Sequence, residues 1–234
     1  MKKLTILLLM VFGYFSNAHA LDGVNFGISL TAGKFEAKGA KEEFKGAHVG
    51  TASPGDVSKS AATDGDTAEG AFGIGSLFVE YEINDVIALG VDYVPHTLDT
   101  ETTENIQADM TTSSSSSNKT NTVQVDFEDM YTVYAIFNFP EANGVYAKIG
   151  YTAVDVITNE NLGTGGAYAN TDIDGYTIGL GYDRELNDGA FVRLEANYID
   201  LDGASLTNSN DSTKSVTADG VDGYGARISV GKAF

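Results

Sequence analysis

The run Asp174-Gly175-Tyr176-Thr177-Ile178-Gly179-Leu180-Gly181-Tyr182-Asp183, with Asn187-Asp188-Gly189 and Ala190-Phe191-Val192-Arg193-Leu194-Glu195-Ala196-Asn197-Tyr198, decides the fold. Tyr176, Ile178, Leu180 and Tyr182 share one face, and Gly175, Thr177, Gly179, Gly181 and Asp183 share the other. A period of two belongs to an extended chain, whose side chains alternate sides. After the turn, Ala190, Val192, Leu194, Ala196 and Tyr198 oppose Phe191, Arg193, Glu195 and Asn197. Asn-Asp-Gly between two alternating arms marks a hairpin.

The same pattern extends in both directions. Alternation runs through Val24–Gly33, Phe72–Ile83, Val86–Val94, Val123–Phe139, Val145–Val156 and Gly223–Phe234. With the two arms above, the sequence predicts an all-β chain of about eight antiparallel strands. Short turns follow strands two, four and six, at Asn84-Asp85, Pro140–Gly144 and Asn187–Gly189. Long polar segments, roughly 37–71, 95–122, 157–170 and 201–221, separate the hairpins. Their composition predicts mobile loops, rich in acids. The segment 37–71 is where a further hairpin would fit, giving ten strands.

Short turns on one rim and long loops on the other suit a closed up-and-down barrel in a membrane. Two features turn the apolar face outward. The polar face carries Gly27, Gly33, Gly73, Gly75, Gly90, Gly150, Gly179, Gly181, Gly225 and Gly231, small enough to fill a narrow lumen beside large residues. Aromatics also sort by strand end. Tyr93, Tyr131, Tyr151, Tyr176, Tyr198 and Tyr224 lie on apolar faces toward the long loops, an aromatic girdle suited to a headgroup level. Phe26, Tyr81, Phe139, Tyr182 and Phe234 form a second belt at the short turns.

Met1-Lys2-Lys3, an apolar run from Leu4 to Phe15 and Ala18-His19-Ala20 predict a cleaved signal peptide over 1–20 and a barrel domain over 21–234. The apolar run is shorter than the roughly 20 residues of a spanning helix. There is no cysteine, so disulfides and thiolate metal sites are excluded. The whole chain carries a net charge of −19. Loss of Lys2 and Lys3 leaves 12 cations against 33 acids, which repels nucleic acid.

The last strand, Gly223 to Phe234, resembles the C-terminal assembly signal of outer-membrane barrels, with Ile228, Val230 and Phe234 at alternate positions. Lys232 departs from that pattern. The hairpin 174–200 resembles the small barrels of the opacity-protein and OmpA/OmpX-like superfamily, with OmpW-like barrels as neighbours. The resemblance implies a porin-like cell outer membrane protein, surrounded by lipid and lipopolysaccharide. It also implies that the barrel-assembly machinery reads the last strand.

Charged lumen positions Glu80, Glu82, Lys148, Asp183, Arg193, Glu195 and Arg227 lie toward the short turns and suggest an internal polar network. Asp64, Asp66, Glu69, Asp200 and Asp202 are candidate divalent-cation ligands, although solvated charge is the plainer reading. No cofactor motif stands out. The expected role is structural or surface-interacting, through acidic loops, and not enzymatic. A narrow pore, or a side portal as in the OmpW-like barrels, is the alternative. A lipid enzyme built on His96 and Ser113 is remote, because no G-x-S-x-G accompanies them.

Overall fold

The computed structural model of the chain describes residues 22–38, 41–44, 68–112, 115–163, 165–210, 212 and 214–234. The expected signal peptide, and His48, Asp64, Asp66 and Ser113, lie outside the described residues.

Eight strands make a closed antiparallel ring: β1 (Val24–Lys38), β3 (Ala68–Glu82), β4 (Ile87–Tyr93), β7 (Ser115–Asn138), β8 (Val145–Leu162), β9 (Thr171–Glu185), β10 (Ala190–Thr207) and β11 (Lys214–Ala233). β11 returns to β1 from Asn25↔Ala233 to Lys38↔Gly220, so the ring shuts with eight strands, not ten. Three short strands extend the outer hairpins. β2 (Lys41–Phe44) continues along β11, while β5 (Leu98–Asp99) and β6 (Thr103–Thr112) continue along β7.

Side-chain exposure follows the period of two. Leu30, Leu180 and Leu194 point out of the ring and are 65%, 60% and 58% exposed. Ser29, Phe78, Glu80, Tyr134, Tyr146, Thr152 and Glu195 point in and are buried. Large inward residues fit because glycines stand beside them. Gly90 and Gly150 flank Tyr134 across the sheet. A Cβ on Gly90 would lie 2.5–2.7 Å from the Tyr134 ring and hydroxyl.

The turns form where the sequence places them. The Asn84 side chain accepts the N–H groups of Val86 and Ile87 at 2.9 and 3.0 Å. The turns at Pro140–Ala142 and Asn187–Gly189 are single 3-10 turns, and Asn143 and Asp188 adopt positive φ of 49° and 59°. Asn and Asp tolerate that region better than most residues.

Two expectations change. Gly73 and Gly75 share the parity of Leu77 and Tyr81 and lie on the outer face, not in the lumen. The long segments are also largely paired: residues 115–122, 157–162, 201–207 and 214–221 are strand. Outside the membrane both faces of a hairpin meet water, so the apolar alternation that marks a strand is missing. A bulge adds to this. The β7–β8 register shifts between Glu128 and Tyr131, where Asp129 has φ 50°. The shift moves the inward set from even residues to Phe127.

Gly90→Ala is expected to destabilise the refolded barrel by about 1–3 kcal/mol, because the ring of Tyr134 must move. Gly73→Ala, with nothing within 4 Å of its Cβ, should change stability by less than about 0.5 kcal/mol. Urea unfolding in one detergent or lipid compares the two.

Candidate functional site

The lumen near the short turns is filled by ion pairs. β10 carries Arg193 and Glu195 two residues apart, so both point inward. Arg193 Nη1 donates to both oxygens of Glu80 on β3, at 2.5 and 2.7 Å, and Arg193 Nε donates to Asp183, its direct partner on β9. Lys148 on β8 pairs with Glu195. Arg227 on β11 donates to Asp92 on β4 at 2.9 and 3.3 Å, and to Thr31 on β1 at 3.0 Å. Tyr134 and Tyr146 hydroxyls donate to Glu80 and Glu195 at 2.8 and 3.0 Å. Arg193 also lies 4.5 Å from the Phe191 ring centroid. Buried charges are tolerated when each is paired and hydrogen-bonded, and this set meets the condition.

Six of the seven charges expected in the lumen network therefore meet. Glu82 does not: it is exposed at the short-turn rim, where Asn25 donates to it at 2.7 Å. Asp92, the carboxylate that holds Arg227, was absent from the expected set. Its alternation with Gly90 was the available signal, but its pairing with β11 across the lumen depends on ring closure. The space left among Ser29, Glu80, Lys148, Arg193, Glu195 and Arg227 is about 10 Å³, room for one water.

Farther toward the long hairpins the lumen is apolar. Val154, Ile173 and Leu201 form a buried cluster, with Phe127, Met130, Val156, Ile199 and Val221 against it. Phe35 and Phe72 stack at 6.5 Å between centroids beside it, since a Cβ on Gly223 would touch both Ile199 and Phe72. Thr132, Thr152 and Thr177 face inward between the ion pairs and this apolar cluster.

The wall is interrupted on the long-hairpin side of the ion pairs. Leu77, Val79 and Tyr81 on β3 pair with Tyr93, Val91 and Leu89 on β4. Two residues farther on, the same register would set Gly75 opposite Pro95. Proline has no N–H to complete that pair, and the ladder stops. The chain after β4 turns toward β7 instead: Val94 N–H donates to Met130 C=O and Thr100 N–H to Val125 C=O, both at 2.9 Å. Among the described residues, Ala68–Ser76 pairs with β1 and with no strand on its other side. This leaves a seam that begins at Tyr93. Gly75 N–H donates across it to His96 Nε2 at 3.1 Å.

The six girdle tyrosines lie one on each of β4 and β7–β11, with none on β1 or β3. Tyr93 pairs directly with Tyr131, Tyr151 with Tyr176, and Tyr198 with Tyr224. Tyr93 and Tyr198 hydroxyls donate to Asp129 and Asp222 at 2.9 and 3.0 Å, and Tyr176 bonds Asp200. Asp200 and Asp202 join no group of three potential metal ligands among the described residues. At the opposite rim Phe234 stacks on Phe26 at 5.4 Å, and Ile228 and Val230 point outward beside it. Lys232 lies 5.7 Å from the Phe234 ring centroid and donates to the carbonyl of Asp188.

An apolar outward face, a tyrosine belt and a charged lumen suit a bilayer, and the family comparison agrees. A family model for the outer membrane protein beta-barrel domain matches residues 5–234. The chain belongs to that family. It is an outer-membrane barrel. Similar solved structures include OprG from Pseudomonas aeruginosa, 13% identical, covering 91% of this chain and 97% of that one at a TM-score of 0.45. AlkL in lipid bilayers is 13% identical, covering 91% and 90% at 0.48, and Neisserial surface protein A is 13% identical, covering 91% and 100% at 0.40. No curated protein matches the sequence.

Within this outer-membrane barrel, Arg193→Ala would leave the buried Glu80 and the partly exposed Asp183 without their cation. It is expected to lower stability by about 3–5 kcal/mol, as for other broken buried pairs. Urea unfolding in lipid checks the loss, which should shrink when Glu80→Gln is added.

Proposed function

We propose that the protein is a non-enzymatic barrel that passes small apolar molecules sideways, between the outer half of its lumen and the surrounding lipid. The observation that carries this is that the β3–β4 seam opens on the long-hairpin side of the ion pairs, the side that also holds the apolar lumen cluster. Buried ion pairs close the axial route to anything larger than water. Apolar side chains above them favour a hydrocarbon-like solute. The seam gives that solute a way out at the girdle, without crossing the charged layer. His96, the one histidine among the described residues, bonds Gly75, which supports a place in the wall.

A second reading, surface interaction through acidic hairpins, is favoured by strand length. β7 has 24 residues and β11 has 20, whereas about 9–11 suffice to cross a bilayer. The excess carries acids into the medium. Both readings share the same proposed surroundings: cleavage after Ala20, lipopolysaccharide around the tyrosine belt, divalent cations at the acidic hairpins, and assembly-machinery contact through Ile228, Val230 and Phe234.

Proteoliposomes loaded by diffusion with a small apolar fluorophore, N-phenyl-1-naphthylamine, test the portal. The wild-type barrel should speed uptake over empty vesicles. Pro95→Val restores an N–H to the ladder and should slow uptake several-fold. In planar bilayers, the protein should show no reproducible conductance steps. Uptake equal to empty vesicles from a folded barrel would overturn the portal and favour the surface reading. Discrete steps would favour an axial pore.

A further inference from the structure

We propose that the His96 ring is the clasp of the seam and that its charge state sets whether the seam is shut. This inference rests on the portal reading for its function, but its geometry stands apart from transport. Gly75 sits two residues beyond Leu77, the last β3 residue paired with β4, opposite Pro95, which cannot donate a ladder hydrogen bond to the Gly75 carbonyl. The Gly75 N–H nevertheless has an acceptor, the imidazole nitrogen Nε2, at 3.1 Å. The other ring nitrogen, Nδ1, lies 3.3 Å from the carbonyl oxygen of Thr97. Together these contacts fix the tautomer. Nδ1 carries the proton and donates to Thr97, which leaves the Nε2 lone pair for Gly75.

Only the neutral ring can do this. A protonated imidazole has N–H on both nitrogens and no acceptor. Protonation would set one N–H against another across the seam and release Gly75. On the lumen side, one residue along, Ser76 Oγ of β3 donates to Asp92 of β4 at 3.0 Å. Gly73 and Gly75 have no side chains, and the nearest other atom to a Cβ on Gly75 is the Leu30 side chain of β1, at 3.8 Å. The neighbouring charged groups are acids. Thr97 Oγ1 donates to Glu128 of β7 at 3.5 Å, and Asp129 of β7 is held by Tyr93. Asp92 of β4 faces the lumen, where Arg227 of β11 neutralises it. β3 and β1 offer Gly75 and Leu30 at this point, neither of them titratable. The seam is therefore expected to be shut while the ring is neutral and to loosen when the ring is protonated.

Amide exchange at Gly75, measured by NMR on the full barrel in lipid and normalised to its intrinsic rate, reads the clasp directly. From about pH 8 to about pH 5, the span over which histidine changes charge, wild-type protection should fall by about tenfold, the size of one net hydrogen bond. His96→Ala should show the low protection at both pH values. His96→Gln, whose side-chain oxygen accepts at any pH, should keep intermediate or high protection with no pH dependence. Val91 and Tyr81, paired deeper in the same sheet, report that each variant is folded. Wild-type Gly75 protection that ignores pH, or that survives His96→Ala, would overturn the clasp. If protection behaves as stated while fluorophore uptake does not follow it, the clasp stands and the portal reading fails.

Discussion

A backbone in hydrocarbon has no water to bond, so each N–H and C=O must find a partner inside the protein. Ring closure meets that demand here. β1 pairs with β3 along one edge and with β11 along the other, and Phe234 N–H and Gly23 N–H complete the pattern at the rim, on Val24 C=O and Phe234 C=O. The seam at Gly75 begins at Tyr93, a member of the aromatic belt, where headgroups and water meet the wall. At that level the constraint relaxes, and a proline can end a ladder without leaving a polar group in lipid.

Closure with eight strands has a second consequence. The interior is narrow, so whatever faces inward must pack and be paired. Arg193, Lys148 and Arg227 answer Glu80, Asp183, Glu195 and Asp92 within one layer, and glycines such as Gly90 and Gly150 yield the space for Tyr134. Charge and volume are settled together. An arginine that loses its carboxylates there loses both its solvent and its partners. Above this layer the lumen changes to Phe, Val, Ile, Leu and Met. That change places an apolar cluster on the same side of the ion pairs as the interrupted β3–β4 pairing.

Much of this architecture is legible in the chain. Hydrocarbon outside and a packed lumen inside give each membrane strand two unlike faces, so Tyr176–Tyr182 and Ala190–Tyr198 declare themselves by alternation alone. The turns at Asn84, Pro140 and Asn187 are equally plain, because few residues accept positive φ. Legibility fails where the faces become alike. The outer parts of β7, β10 and β11 are wet on both sides and read as loop. Gly73 and Gly75 read as lumen because they are small, although parity with Leu77 and Tyr81 sets them outside. Glu82 reads as a network member because it alternates with Glu80, yet one step along the strand carries it to the rim.

Sequence alone determined the fold class, the belts and the girdle tyrosines, since these follow from local period and from the solvent each face meets. Tertiary structure decided which charge meets which. Arg227 finds Asp92, and Arg193 finds Glu80 113 residues away, only because shear and ring closure bring distant strands across one lumen. The same is true of His96. In the sequence it read only as a remote catalytic candidate beside Ser113. Its meaning comes from a ladder that ends at Pro95 and leaves one N–H of Gly75 facing it.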